Sequence, residues 1–198
     1  MFAKSADKIT QKLKDNNTID DEHYEICRYG LQQGFSIILN VVSTIVIGVA
    51  FGMLWQAGLF TALYIPLRSH AGGYHANTAT RCYVYSILLM IAVLLAIKHI
   101  TIPSFICIIA LMISFSVIFT LAPVEDPNKL LDEIEQAVYK RRTLIINISE
   151  GLLLIISTML GWKQVAYCIT WEQILMSIIL LLGKCKNIII GKSTDVHM

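Results

Sequence analysis

The stretch YGLQQGFSIILNVVSTIVIGVAFGMLWQAGLFTALYIPL, residues 29–67, contains 39 residues and no charged side chain. As a single helix it would extend roughly 60 Å at about 1.5 Å per residue, whereas the hydrocarbon core of a bilayer is about 30 Å thick. The stretch therefore predicts two membrane-crossing helices that form a hairpin. Gly48 and Gly52 bracket the predicted turn between them.

The composition of the whole chain agrees with a membrane protein. Of its 198 residues, 56% are hydrophobic and 15% are charged, against roughly 25% charged in an ordinary globular domain. This balance excludes a soluble enzyme. The net charge of +2 is spread over short loops, so no nucleic acid partner is predicted. The five cysteines form no CxxC pair, so we predict no metal site, disulfide framework or cofactor.

Four further apolar runs predict four more spans. Residues 82–97 and 100–124 form a second hairpin, and residues 143–162 and 164–183 form a third, each of the last two runs being interrupted by one glutamate. The expected fold is an all-α integral membrane protein with six transmembrane helices in three hairpins.

The basic residues give an independent test of this topology. With six spans, fourteen of the sixteen Lys and Arg residues fall on the side of the termini, and only Lys98 and Lys163 fall on the other side. Cytoplasmic loops carry the excess of basic residues, so both termini are predicted to be cytoplasmic. We predict a cytoplasmic or interfacial arm at 1–30, a membrane domain at 31–183 and a cytoplasmic tail at 184–198.

Two segments outside the predicted spans have helical patterns. The arm places apolar residues on one helical face beside lysines, which is typical of an amphipathic helix at the membrane surface, although a solvated arm fits as well. These apolar residues are Phe2, Ala6, Ile9 and Leu13. In the predicted cytoplasmic loop 125–142, Asp126 and Pro127 favour the start of a short separate helix.

The loop RSHAGGYHANTATRC, residues 68–82, concentrates reactive side chains where the third span begins. Thr78 is a candidate N-cap, which would place Cys82 in or just beyond the first helical turn, where a thiolate is favoured. His75 follows Gly72 and Gly73, whose backbone freedom would let it fold back towards Cys82 as a general base. An interfacial histidine with a merely apolar cysteine, or a zinc site including His70, are the alternatives.

Glu150 and Glu172 are ionisable residues inside predicted spans, and such residues are costly enough to be functional candidates. They support a rival interpretation, a small transporter or channel in which both acids bind ions or protons. A third interpretation is a non-catalytic membrane adaptor whose loop docks a partner.

The loop 68–82 resembles the signature of the AgrB family, the accessory gene regulator B peptidases of Gram-positive bacteria. In that signature an Arg, a Gly-Gly-aromatic-His and a Cys seven residues later come in this order, as they do here. The likeness extends to the chain length, the polar arm, the six spans and the segment APVEDPNKL at 122–130. His75 and Cys82 match the family's catalytic pair, and Arg68 and Gly73 match further positions of the motif.

The resemblance implies a cysteine endopeptidase of the bacterial cell membrane, with its catalytic loop on the cytoplasmic side. Its substrate would be a quorum-sensing propeptide with an amphipathic leader and an acidic tail, cleaved through a thioester and cyclised to a thiolactone or lactone. Arg68 would stabilise the oxyanion or grip an acidic substrate residue. The cations Lys129, Arg141 and Arg142 would bind the acidic tail or membrane lipids. A homodimer is a further expectation for so small a membrane enzyme.

Overall fold

A computed structural model describes residues 3–16, 18–74, 76, 78–125 and 131–195 of the chain. Within these residues the fold is entirely helical, with seven helices and no strand, which confirms the predicted all-α class. The helices are α1 (Ala3–Asp15), α2 (Asp21–Phe51), α3 (Leu54–Ala71), α4 (Ala79–His99), α5 (Ser104–Leu121), α6 (Glu133–Met159) and α7 (Lys163–Asp195).

Five of these helices are long and apolar enough to cross a membrane, as in a multi-pass membrane protein. The five segments are His23–Phe51, Thr80–His99, Ser104–Leu121, Glu133–Met159 and Lys163–Ile189. Helix α3, the second span of the sequence prediction, is not among them. It has 18 residues, and its last turn carries Arg68 and His70, which lower its mean hydropathy.

The first predicted hairpin has its turn where the glycines indicated it. Helix α2 ends at Phe51, and Gly52 adopts a left-handed conformation with φ of 65°, which favours glycine. Gly48 lies against the start of α3, since a Cβ at position 48 would be 3.0 Å from the Leu54 Cα. Because Gly48 has no side chain, the start of α3 can pack closely against the end of α2.

Helix α7 lies at the centre of the bundle and packs against α3, α4, α5 and α6. Two clusters of buried apolar side chains surround it. The first includes Leu94, Cys107, Leu154 and Ile169, and the second includes Leu67, Ile118, Met176 and Leu180. Cys107, at 1% exposure, packs among the apolar side chains of the first cluster.

Three helix boundaries differ from the sequence prediction. Helix α2 begins at Asp21, inside the predicted arm, and α7 continues past Gly183 into the predicted tail. The segment 133–142 is the start of α6 and not part of a loop or of a separate short helix. The cause is Asp132, whose side chain accepts a hydrogen bond from the Glu135 backbone amide at 2.6 Å and so caps the helix. No glycine or proline interrupts the helix between residues 133 and 142.

The N-terminal helix α1 packs against the first turns of α2. Ala6 and Thr10 are buried, and the Tyr24 hydroxyl donates a hydrogen bond to the Asp7 carboxylate at 3.1 Å. The predicted helix in this arm is confirmed, whereas its placement at a membrane surface stays a prediction. Phe2, part of the predicted apolar face, lies outside the described residues.

Candidate functional site

The segment that follows α3 is fixed by backbone hydrogen bonds to two other parts of the chain. The Gly73 amide donates to the Val124 carbonyl at 3.2 Å, and the Val124 amide donates to the Ala71 carbonyl at 2.9 Å. The Tyr74 amide donates to the carbonyl of Ile179 on α7 at 3.0 Å. The sequence indicated a flexible Gly-Gly hinge here. In the structure this segment is anchored instead, because the amides of Gly73 and Tyr74 donate hydrogen bonds to other parts of the chain.

The two glycines are needed for this close approach. Gly72 has φ of 71° and Gly73 has φ of 115°, and both conformations are unfavourable for residues with a Cβ. A Cβ at position 72 would also lie 2.1 Å from the Val124 carbonyl oxygen. The positive φ of Gly73 gives this glycine a structural role, because a residue with a Cβ would be strained in the same conformation.

A third glycine, which the sequence reasoning missed, completes the contact from α7. A Cβ at Gly183 would lie 2.6 Å from the Tyr74 amide nitrogen and 2.7 Å from the Gly73 carbonyl carbon. In the sequence, Gly183 marks only the end of the predicted span 164–183. Because α7 has no side chain at this position, the segment 72–74 can lie directly against the helix backbone.

Arg68 holds the same segment from the end of α3. Its half-buried guanidinium donates hydrogen bonds to the carbonyl oxygens of Gly72 and Tyr74. These bonds use two of the five N–H donors of the side chain. The structure thus gives Arg68 a role in shaping the loop, in addition to the oxyanion or substrate contact expected from sequence.

Cys82 lies where the sequence placed it, in the first turn of α4. The Thr78 hydroxyl accepts a hydrogen bond from the Arg81 amide at 3.3 Å, which confirms the predicted N-cap. The Cys82 side chain is exposed. This exposure leaves the Cys82 sulfur accessible to a substrate or to a thiol reagent. The Ser86 hydroxyl, one turn later on α4, donates a hydrogen bond to the Cys82 carbonyl at 3.1 Å.

His75, the predicted base, lies outside the described residues. Of the described residues near it in sequence, Tyr74 is anchored to α7 and Thr78 caps α4. The predicted pairing of His75 with Cys82 stays a prediction.

Tyr64, half-buried and one turn before Arg68 on α3, is a neighbour of Arg68 that sequence reasoning missed. Its ring stacks on the Phe60 ring with 5.5 Å between centroids. The spacing of four residues from Arg68 was the available indication, since i and i+4 share a helix face.

The predicted cationic surface is described in part. Arg141 and Arg142 are exposed near the start of α6, whereas Lys129 lies outside the described residues. The Tyr139 ring, one turn earlier on α6, lies 5.8 Å from the His70 ring at the end of α3. These cations therefore lie at the same end of the bundle as Arg68.

Glu150 and Glu172, which the rival interpretation uses, meet inside the bundle. They are 4% and 0% exposed and belong to the neighbouring helices α6 and α7. The Gln173 amide donates to the Glu150 carboxylate at 2.8 Å, and no donor among the described residues reaches the Glu172 oxygens.

Comparisons with known proteins place the chain among relatives of one kind. It is 26% identical to a putative AgrB-like protein of Clostridium perfringens over 87% of this chain and 83% of the relative. It is 26% identical to accessory gene regulator protein B of Staphylococcus carnosus, over 79% of this chain and 81% of the relative. Protein FsrB of Enterococcus faecalis is 25% identical, over 83% of this chain and 66% of the relative.

No solved structure matches the chain. The family model for accessory gene regulator B matches residues 6–181, which include Arg68, Gly73 and Cys82 as well as the segment at Val124 that anchors their loop. The match covers most of the chain and confirms the resemblance found at residues 68–82. The chain therefore belongs to the accessory gene regulator B family.

Proposed function

We propose that the chain is a membrane-embedded cysteine endopeptidase that cleaves and cyclises a quorum-sensing propeptide. Family membership implies a part in a quorum-sensing peptide system. The single observation that best supports the peptidase is the exposed Cys82 in the capped first turn of α4, at the end of the bundle where Arg68 anchors the loop of His75.

In this mechanism His75 removes the proton of Cys82, and the thiolate attacks a peptide carbonyl near the C-terminal part of the precursor. His75 then protonates the leaving amine, which releases the acidic tail and leaves a thioester on Cys82. A thiol or hydroxyl of the precursor attacks this thioester, frees Cys82 and closes a thiolactone or lactone ring. A site at the membrane face favours cyclisation because it limits the access of water.

The test is co-expression of the chain with its precursor, followed by mass spectrometry of the products. We expect that His75→Ala and Cys82→Ser abolish cleavage. Cys185→Ser is the matched control, because Cys185 is also exposed but belongs to α7 and not to the first turn of α4. Normal processing by the Cys82→Ser variant would exclude the peptidase.

We further propose six spans, with α3 as the sixth and both termini in the cytoplasm. The support is that α3 begins at the turn beside Gly48 and ends at the anchored segment 72–74, so that it connects opposite ends of its neighbours. At about 1.5 Å per residue, 18 residues extend about 27 Å, close to the thickness of the hydrocarbon core.

An impermeant maleimide tests this topology in intact cells and inverted vesicles. Cys185 should be labelled only in inverted vesicles, and a cysteine introduced at the exposed Trp162 should be labelled only in intact cells. Labelling of both positions from one side would contradict the proposed arrangement.

The buried pair of Glu150 and Glu172 favours one second candidate, a proton-coupled or ion-coupled transporter. The same co-expression experiment separates the two functions. For the peptidase, Glu150→Gln and Glu172→Gln should leave the chemistry of cleavage intact in whatever protein folds, whereas Cys82→Ser abolishes it. A transporter predicts the opposite dependence on these residues.

A further inference from the structure

A cavity of about 310 Å³ lies between α2, α3 and α4, on the membrane side of Cys82. Its walls include Asn40 and Thr44 of α2, Thr61 and Tyr64 of α3, and Ser86 and Met90 of α4. A cavity of about 150 Å³ in a protein core holds a benzene molecule, so this one has room for a large side chain.

The cavity lies beside the site on two helices, α4 and α3. On α4, Cys82, Ser86 and Met90 are spaced by four residues and share one face, so the cavity begins about 6 Å along the axis from Cys82. On α3, the lining residue Ser69 directly follows Arg68. Cys82 and Arg68 therefore lie near one end of the cavity.

The lining is apolar in effect, although several of its residues have polar side chains. The hydroxyls of Thr61, Ser69 and Ser86 and the amide of Asn40 donate to backbone carbonyls one turn earlier in their own helices. These groups are satisfied locally and present mainly their carbon atoms to the cavity. A polar or charged occupant would find few partners there, whereas an apolar occupant would bury its surface favourably.

We propose that the cavity receives the apolar side chain of the substrate residue whose carbonyl Cys82 attacks. The inference rests on the proposed peptidase function and adds a specificity: a large aliphatic or aromatic residue on the acyl side of the cleaved bond. A residue bound through its carbonyl at Cys82 lies about one helical turn from Ser86, the lining residue of α4 that is nearest to Cys82 in the chain.

The test uses two thiol reagents in place of the substrate, methyl and hexyl methanethiosulfonate. In each reaction the Cys82 thiolate displaces methanesulfinate and forms a disulfide with the alkylthio group. The full chain is held in phosphatidylcholine nanodiscs, and modification is followed on the Cys82 peptide by mass spectrometry. The quantity measured is the ratio of the hexyl rate to the methyl rate.

Thr44→Phe fills the cavity from α2, and Val42→Phe is the matched control because Val42 is half exposed and does not line it. We expect the ratio to fall about tenfold in Thr44→Phe and to keep its wild-type value in Val42→Phe. Thr61→Leu, which fills the opposite wall, should lower the ratio too, and it replaces Thr44→Phe if that variant does not fold.

Equal ratios in all of the proteins would overturn the proposal, because the preference for hexyl would then come from partition into the bilayer. An equal fall in Thr44→Phe and Val42→Phe would overturn it as well. So would a bound phospholipid that Thr44→Phe alone displaces without any change in the ratio. The reagents need no peptidase activity, so a failure here is distinguishable from a loss of the proposed function in the co-expression experiment.

Discussion

The guanidinium of Arg68 donates a hydrogen bond to the carbonyl oxygen of Tyr74, and this bond closes the loop that leads to His75. A second donor of the same side chain bonds the Gly72 carbonyl. Two carbonyls six and four residues away are thus held by one planar group, whose fork geometry is suited to such paired contacts. Arg68 determines the shape of the loop whether or not it also touches the substrate.

Arg68→Lys should therefore disturb the loop as well as cleavage, because an ammonium cannot reproduce two directed bonds from a rigid plane. We expect cleavage of the precursor to fall at least tenfold and the amides of Gly73 and Tyr74 to exchange hydrogen faster. Arg81→Lys, at an exposed position of α4, is the control. A loss of cleavage with unchanged exchange would mean that Arg68 acts on the substrate alone.

Gly183→Ala should move the loop from the side of α7. The added Cβ would lie 2.6 Å from the Tyr74 nitrogen, a backbone atom that cannot rotate away. We expect cleavage to fall at least tenfold while the protein stays folded in detergent. Gly58→Ala is the control, since a Cβ there meets nothing within 4 Å. Its substitution in a helix should be neutral or stabilise by about 0.5–1 kcal/mol. Equal activity of both variants would contradict the close approach.

The sequence predicted the helices and the cysteine well because those features depend on local patterns. Apolar runs predicted the helical membrane segments, and Thr78 predicted the start of α4 through its own short-range hydrogen bond. The boundary predicted at residue 143 was wrong, because α6 begins at Glu133 and joins a capped polar turn to an apolar span without a break.

The anchoring of the loop was beyond sequence reasoning because it joins residues far apart in the chain. Nothing in the segment around Tyr74 indicates that its amide bonds the carbonyl of Ile179. The same holds for Gly183, whose lack of a side chain matters only because of what packs against it. The meeting of Glu150 and Glu172 likewise depends on the rotation of α6 against α7, which hydropathy does not determine.

Thr78→Ala should weaken the helix turn that carries Cys82. Loss of an N-cap hydroxyl costs about 0.5–2 kcal/mol, and the frayed turn would hold Cys82 less firmly at the helix end. We expect a lower thermal stability and a slower reaction of Cys82 with iodoacetamide, relative to Cys185 in the same molecule. Thr78→Ser keeps the hydroxyl and should match the wild type. If Thr78→Ala matched it too, the cap would have no part in the reactivity of Cys82.

Gln173→Leu should destabilise the bundle through Glu150. The Gln173 amide donates to the Glu150 carboxylate at 2.8 Å, and both side chains are buried, so the substitution leaves a charged or polar acceptor without its donor. The expected cost is about 1–3 kcal/mol of unfolding free energy. In the double variant with Glu150→Leu the acceptor is gone as well, so the combined cost should be smaller than the sum of the two single costs. Denaturant unfolding in detergent measures all three, with the exposed Ser116→Ala as control. Strict additivity would show that the two side chains do not interact in the folded protein.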